Sequence, residues 1–342
     1  MPTMRAAVVD GPGSFSVREV EAPSPGPGEA LVRVRNCGIC GSDLHFYRGE
    51  FPAMPNLVMG HEIAGEVAAL GEGVSNVREG DRVAVEPLLV CGHCAFCRSG
   101  SYQLCPERKL LGTFAPGGFA EYVRIPAGMV YRLPDDVPFE LGALVEPVAV
   151  AVHGLRLVRL EGGERVLVLG GGTIGLVSAV AALAMGASEV TVTARHAHQR
   201  AAAEALGARA LDAADATAVN AAAVAAPPDV VVETVGGRAD TLNQAVQLVR
   251  PGGRISVLGL FTGPVTLNAT LLLLKEVLAV GSITYGRPGL HADFEIAVDI
   301  VRRTRDRLER LITHRVPLDA IAQGFATAAD KSTGSIKVTV EV

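Results

Sequence analysis

Val166-Leu-Val-Leu-Gly170-Gly-Gly-Thr-Ile-Gly175 is the stretch that decides the fold. Four apolar, strand-forming residues run into Gly170-x-Gly172-x-x-Gly175, and an Ala-rich apolar segment follows to about Gly186. A buried strand, a tight turn and a helix explain that order. Glycines in the turn let a backbone approach a pyrophosphate, and the helix N-terminus stabilises its charge. Gly170, Gly172, Thr173, Ile174 and Gly175 are therefore candidate cofactor-binding residues. The competing explanation is a glycine-rich turn that serves helix–sheet packing only. Residues 166–188 carry no charge and are long enough to span a bilayer. Four glycines between a β-branched run and an Ala-rich run fit strand, turn and helix better, and no membrane partner is expected.

Downstream the same texture continues. Strand patterns recur at 190–193, 230–233 and 255–258, and a helical pattern at 197–206 ends at Gly207, a residue suited to a C-cap. Strand–helix alternation implies a parallel, doubly wound sheet. Residues 213–226 are Ala-rich and read as a surface helix and loop. About 20 residues after the glycines, an NAD enzyme places an acid on the ribose hydroxyls. Here the strand ends Val192-Thr193-Ala194-Arg195, followed by His196 and Arg200. A guanidinium makes paired, charge-assisted bonds to a 2′-phosphate, which an acid would repel. Ala194, Arg195 and Arg200 thus favour NADP(H) over NAD(H), unless Arg195 points to solvent and the choice is loose.

Upstream the pattern is different. Alternating runs at 5–9, 30–35, 62–69 and 81–85 are separated by turn-forming stretches such as Pro23-Ser-Pro-Gly-Pro-Gly28. They read as a β-rich, barrel-like domain. The texture changes near Pro147. From about His291 the chain reads as helical again. The basic run 302–315, interrupted by Asp306 and Glu309, reads as a solvated helix face rather than a nucleic-acid stripe. Residues 336–342 read as a strand returning to the first domain.

Six cysteines stand at 37, 40, 91, 94, 97 and 105. Cys91, Cys94, Cys97 and Cys105 have the spacing C-x2-C-x2-C-x7-C. Four thiolates on one short loop suit tetrahedral zinc and leave no open position, so a structural zinc is expected there. An iron–sulfur cluster or mere packing is the alternative, and cluster spacings differ. A second, mixed site draws on Cys40-Gly-Ser-Asp43-Leu-His45 and on Gly60-His61-Glu62. A thiolate, an imidazole and a carboxylate from separate segments form a site that can keep one position open. Spacing alone does not choose between Cys37 and Cys40.

Bulk composition excludes some partners. The 342 residues, 49% of them hydrophobic, exceed what one typical domain holds. A net charge of -5 disfavours nucleic acid or an anionic membrane as the main partner. Residues 1–10 are too soon interrupted by Gly and Pro for a secretory signal. With close-spaced cysteines, a reducing cytoplasm is expected.

Together these residues resemble the zinc-containing medium-chain dehydrogenase/reductase family, over essentially the whole chain. Gly60-His61-Glu62, Gly80-Asp81-Arg82-Val83, the four-cysteine loop and the glycine turn carry the resemblance. Cys37-Gly-Ile-Cys-Gly-Ser-Asp-Leu-His45 and Gly142-Ala-Leu-Val-Glu146-Pro147 are most similar to the polyol branch. The resemblance implies an α/β, two-domain fold. A Greek-key, barrel-like catalytic domain takes residues 1–147 and 288–342, and a Rossmann domain, 148–287, is inserted, with the active site in the cleft. It implies Cys40, His61 and Glu62 as catalytic zinc ligands, with Glu146 touching the metal directly or through water. Asp43 would orient a zinc-bound histidine, and Ser42 and His45 would serve proton relay or substrate binding. Two zinc ions per chain follow, one catalytic and one structural. The implied reaction passes a hydride between a secondary alcohol, polyols favoured, and NADP(H), giving a ketone. The apolar run 271–274 and the strand near 280–285 read as a surface that pairs across a two-fold axis, and the family implies a homo-oligomer, a tetramer or a dimer. There are departures: many sorbitol dehydrogenases lack the structural cysteines, which threonine and bacterial polyol enzymes often have, and the Arg-Tyr pair common on the late strand of polyol dehydrogenases corresponds here to Thr284-Tyr285. Tyr285-Gly-Arg287 is similar to threonine dehydrogenases instead. A threonine-type amino-alcohol dehydrogenase using NAD and a non-catalytic NADPH-binding sensor are the alternatives.

Overall fold

The computed structural model describes residues 2–51 and 56–342. The chain divides into two compact units. The first takes the chain up to Glu146 together with Gly286–Arg305 and Ile312–Val342; the second is Pro147–Tyr285 with Asp306–Leu311.

The first unit is built on a seven-stranded sheet. Its path runs Ile312–Pro317, Lys337–Glu341, Glu29–Gly38, Glu62–Leu70, Arg82–Val85 and Val130–Arg132, with Tyr122–Pro126 also pairing Glu29–Gly38. A Thr3–Gly11/Ser14–Glu21 hairpin forms a separate two-stranded sheet. Period-two patterning makes these strands: along Glu29–Gly38, Ala30, Val32 and Val34 are buried while Arg33 is exposed. Inward residues of several strands meet in one core with Ile63, Val83, Ile125 and Phe119. Phe325, from the Ile321–Ala329 helix, is buried against Phe15, Tyr47 and Phe119, with ring centroids 4.6, 5.0 and 5.8 Å away. Fully burying a ring of that size is worth roughly 2–3 kcal/mol.

The second unit is a six-stranded parallel sheet in the order Arg209–Asp212, Glu189–Ala194, Arg165–Leu169, Val230–Glu233, Arg254–Val257, Leu278–Gly281. Numbered within the unit, that order is 3-2-1-4-5-6, the doubly wound arrangement. Val230–Glu233 is buried throughout, as expected of a strand covered on both faces. The Thr173–Ala184 helix is buried over Gly175–Ala182, and with the buried strand residues 166–169 it packs the centre of the apolar run 166–188 inside this unit. Among the described residues, no helix is long and apolar enough to cross a membrane.

The basic run 302–315 is not one helix. The amphipathic helix Asp293–Arg303 ends at Thr304, a short turn Arg305–Leu308 follows, and Ile312–Pro317 is a strand parallel to Lys337–Glu341. Arginine density hides the β-branched Ile312, Thr313 and Val316 that favour the strand. Arg302, Arg303 and Arg315 pair with Asp136, Asp299 and Glu140 at 3.1, 2.8 and 2.5 Å, so these three arginines face acids. The strand Arg209–Asp212 lies between the two helical patterns read from sequence and carries no pattern of its own.

Candidate active site

The Gly41–Tyr47 helix organises the first cluster. Cys40 is its N-cap, and the buried Asp43 carboxylate accepts from the Cys40 N–H at 2.9 Å. A carboxylate in this position stabilises the helix start. The other oxygen of Asp43 lies 3.4 Å from Nδ1 of buried His61, so the remaining ring nitrogen is the one left for a metal. Burial opposes charge on His61, but Asp43 and the Cys40 sulfur outweigh it and raise the ring well above its ordinary value. Ligand atoms of Cys40, His61 and Glu62 lie within 4.8 Å of one another. Cys37 is outside this group: it is fully buried in its strand, and burial pushes its thiol up.

Glu62 has a partner that the sequence did not announce. Lys337 Nζ, itself buried, donates to both carboxylate oxygens at 2.7 and 2.6 Å and to the Ile39 carbonyl at 3.0 Å. Burial works against the ammonium, yet Glu62, Cys40 and Glu146 hold it charged, above the usual lysine range. The register explains the fit. Gly38 lies opposite Glu62, and a Cβ at position 38 would come within 1.9 Å of Glu62 Oε2, so only glycine leaves room. Glu146 is buried near the same ammonium but falls outside the 4.8 Å set. Ser42 and His45 are one helical turn apart on the Gly41–Tyr47 helix, both half-buried. His45 Nδ1 bonds the Glu50 carboxylate, and that contact holds Glu50 below the usual carboxylate range.

The four-cysteine loop forms a second cluster. Sγ atoms of Cys91, Cys94, Cys97 and Cys105 lie within 4.8 Å of one another, and all are free thiols. N–H groups of Cys94 and Cys97 donate to the sulfurs of Cys91 and Cys94 at 3.4 Å, which stabilises thiolates. Four sulfurs at this separation fit a tetrahedral metal with no open position. The thiol, imidazole and carboxylate of the first cluster fit a metal that keeps one.

The third feature lies in the second unit. A cavity of about 320 Å³ is lined by Gly170–Gly172, Ala194, Arg195, His196 and Gln199, with Thr234 and Gln244 opposite. It sits beyond the C-terminal ends of the strands, at the point where their order reverses, which is where such sheets bind dinucleotides. Gly175 packs the helix onto the turn: a Cβ there would come within 1.9 Å of the Gly170 carbonyl. Thr173 opens the Thr173–Ala184 helix and Ile174 accepts from Ser178, so neither is part of the cavity lining. Arg200 is also absent from the lining. Gln199, which the sequence did not single out, is buried in it.

Comparison with known proteins identifies the family. Residues 26–135 match the alcohol dehydrogenase GroES-like domain and residues 173–303 the zinc-binding dehydrogenase domain. Sorbitol dehydrogenase of Macaca fascicularis is 33% identical over 95% of this chain and 93% of its own. L-threonine 3-dehydrogenase of Pyrococcus horikoshii is 34% identical over 93% of each. A crystal structure from Sinorhizobium meliloti, described as a zinc-binding dehydrogenase bound to NADP, superimposes with a TM-score of 0.89 at 33% identity, covering all of both chains. The chain belongs to the zinc-containing medium-chain dehydrogenase/reductase family, oxidoreductases acting on CH–OH donors. Within that family it is similar to both the polyol and the threonine branches.

Proposed function

We propose that the protein passes a hydride between a secondary alcohol, a polyol or sugar alcohol being favoured, and NADP(H), giving a ketone. The observation that carries this reading is the convergence of Cys40, His61 and Glu62 within 4.8 Å, backed by Asp43. We assign one zinc to that set, with Glu146 reaching it directly or through water, and a second, structural zinc to Cys91, Cys94, Cys97 and Cys105. When bound, zinc supplies a Lewis acid for the alcohol oxygen and the nicotinamide accepts the hydride. The chain's own residues do the rest. Asp43 orients His61. Lys337 neutralises Glu62 and fixes its carboxylate. Ser42 takes the hydroxyl proton, and His45, oriented by Glu50, passes it toward solvent.

Arg195 and His196 in the dinucleotide cavity, with no acid among the lining side chains, support NADP(H) over NAD(H). The free thiols suit the reducing cytoplasm we assign to the protein. We also infer a homo-oligomer, a tetramer or a dimer. Leu278–Gly281 is an edge strand of the parallel sheet, and beside it Leu273 and Leu274 are 70% and 72% exposed. An exposed apolar edge of this kind calls for a partner, and light scattering of the purified protein reads the mass directly.

The test of function is the initial rate of NADP and NAD reduction by zinc-loaded protein over polyols, simple secondary alcohols, 2,3-butanediol and threonine. A rate with a polyol or secondary alcohol and NADP is expected. The likeness to the Pyrococcus enzyme favours one second reading, a threonine-type dehydrogenase using NAD. A rate confined to threonine and NAD would select it. Silence across the panel would favour a non-catalytic NADPH-binding sensor.

A further inference from the structure

Two arginines follow the second strand of the nucleotide-binding unit, and they are placed differently. Arg195 is exposed and lines the cavity beside the glycine turn, next to exposed His196. Both precede or cap the nine-residue helix Ala197–Ala205, with His196 as its N-cap. Arg200, one turn into that helix, is turned back on the strand. Its Nη1 donates to the carbonyls of Ala194 and Arg195 at 3.0 and 2.9 Å. The same nitrogen lies 3.1 Å from Asp212 Oδ2.

Asp212 is the reason this matters. It ends the strand Arg209–Asp212, directly opposite Ala194 in the register, and its neighbour Ala213 lines the cavity. Asp212 does not itself line the cavity, but uncompensated its carboxylate would act through space as a like charge on a 2′-phosphate held beside Arg195. The chain thus carries an acid one strand over from where an NAD-favouring acid is usually sought, and pairs it with Arg200.

We propose that Arg200 is a positioning residue that cancels Asp212 and clamps the carbonyls of Ala194 and Arg195, so that Arg195 and His196 read the 2′-phosphate. The proposal deepens the NADP(H) reading above and rests on it. It makes Arg200 necessary for selectivity without contact with the cofactor, and it makes the loss of Arg200 repairable by the loss of Asp212.

The experiment needs no alcohol. Dissociation constants of NADPH and NADH are measured by nicotinamide fluorescence for the wild type, Arg195→Ser, Arg200→Met, Asp212→Asn and the double variant Arg200→Met/Asp212→Asn. Far-ultraviolet circular dichroism of each checks that it is folded. The wild type should bind NADPH more tightly than NADH. Arg195→Ser should weaken NADPH by about 10- to 100-fold, the range for losing a charge-assisted contact, and leave NADH within about threefold. Arg200→Met should weaken NADPH by about tenfold and leave NADH unchanged or tighter. The double variant should recover NADPH binding to within about threefold of wild type. If the double variant is as weak as Arg200→Met, Arg200 is itself a phosphate ligand and the proposal is wrong. If NADPH and NADH weaken together in Arg200→Met and stay weak in the double variant, its role is merely structural and the proposal is again wrong. A wild type that binds NADH as tightly as NADPH would overturn the NADP(H) reading itself, a result none of the variant outcomes mimics.

Discussion

Replacing Glu86 by glutamine should make the protein more stable, relative to wild type, at pH 8 than at pH 5. Glu86 follows the strand Arg82–Val85 and is completely buried, and among the described residues neither of its oxygens accepts a hydrogen bond of normal geometry. Burial pushes its carboxyl up to about 7 from 4.5; the hydroxyls of Tyr102 and Tyr131 and the charge of Arg287 oppose that rise, and Asp293 adds to it. Between these two values the folded protein holds a proton that the unfolded chain has released, so stability falls as pH rises through the window. At 1.36 kcal/mol per unit, the ionised group costs the fold about 3 kcal/mol above pH 7. Glutamine has nearly the same shape and no charge at any pH. Any contact it makes better or worse with the two phenols shifts both ends of the profile equally and drops out of the slope. Urea unfolding of zinc-loaded wild type and Glu86→Gln, in half-unit steps from pH 5 to 8.5, measures the difference. That difference should grow by about 2 to 3 kcal/mol in favour of the variant, nearly all of it by pH 7.5. Two parallel profiles would refute the reasoning, because Glu86 would then ionise at its ordinary pH and the burial penalty argued for it would not exist.

Three further outcomes follow from the two cysteine clusters and the buried ion pair. Cys40→Ser should lower turnover by at least about a thousandfold and leave NADPH binding within about twofold, read by fluorescence titration. Normal turnover in that variant would remove Cys40 from the metal site. Cys97→Ser should lower zinc content, by elemental analysis, from two ions per chain to one and reduce the melting temperature while the nicotinamide affinity holds; unchanged zinc would end the structural-site assignment. Lys337→Met strands a buried carboxylate and should cost the metal-free protein about 3–5 kcal/mol. Zinc should restore part of that loss, because the unpaired Glu62 would then face a cation, and a loss indifferent to zinc would place the Lys337–Glu62 pair outside the metal's influence.

Much of this architecture is legible from short, local patterns. The glycine turn needs only its neighbours to be read, because the strand before it and the helix after it are contiguous in sequence, and the Gly175 contact is the packing reason for the third glycine. The four cysteines are equally local, since one loop brings them together. The dispersed site is different. His61 and Cys40 are ordinary residue types at unremarkable spacing, and only the pairing of the Glu29–Gly38 and Glu62–Leu70 strands brings them into one place. The choice between Cys37 and Cys40 is a matter of three residues: one ends inside the strand and the other caps the helix that follows. Arg195 and Arg200 look interchangeable as letters. Helical geometry separates them, turning the second back onto carbonyls while the first lines the cavity.

Lys337 shows where local reading stops and what replaces it. The chain holds four lysines, and this one interrupts Ile336-Lys-Val-Thr-Val340, a run whose remaining residues are buried. A charged residue inside such a strand is a visible signal, because it cannot stay buried alone. Its partner is 275 residues away and invisible to any motif. Register supplies it. Thr339 pairs with Gly38, Gly38 pairs with Glu62, and the ammonium two residues before Thr339 arrives over the carboxylate through the gap that glycine leaves. The same ammonium bears on Cys40 and Glu146, so one lysine from the last strand sets the charge of the cluster to which the first strands contribute. The C-terminal strand is therefore part of the candidate active site as well as part of the sheet, and truncating it removes the counter-charge of Glu62 together with a row of hydrogen bonds.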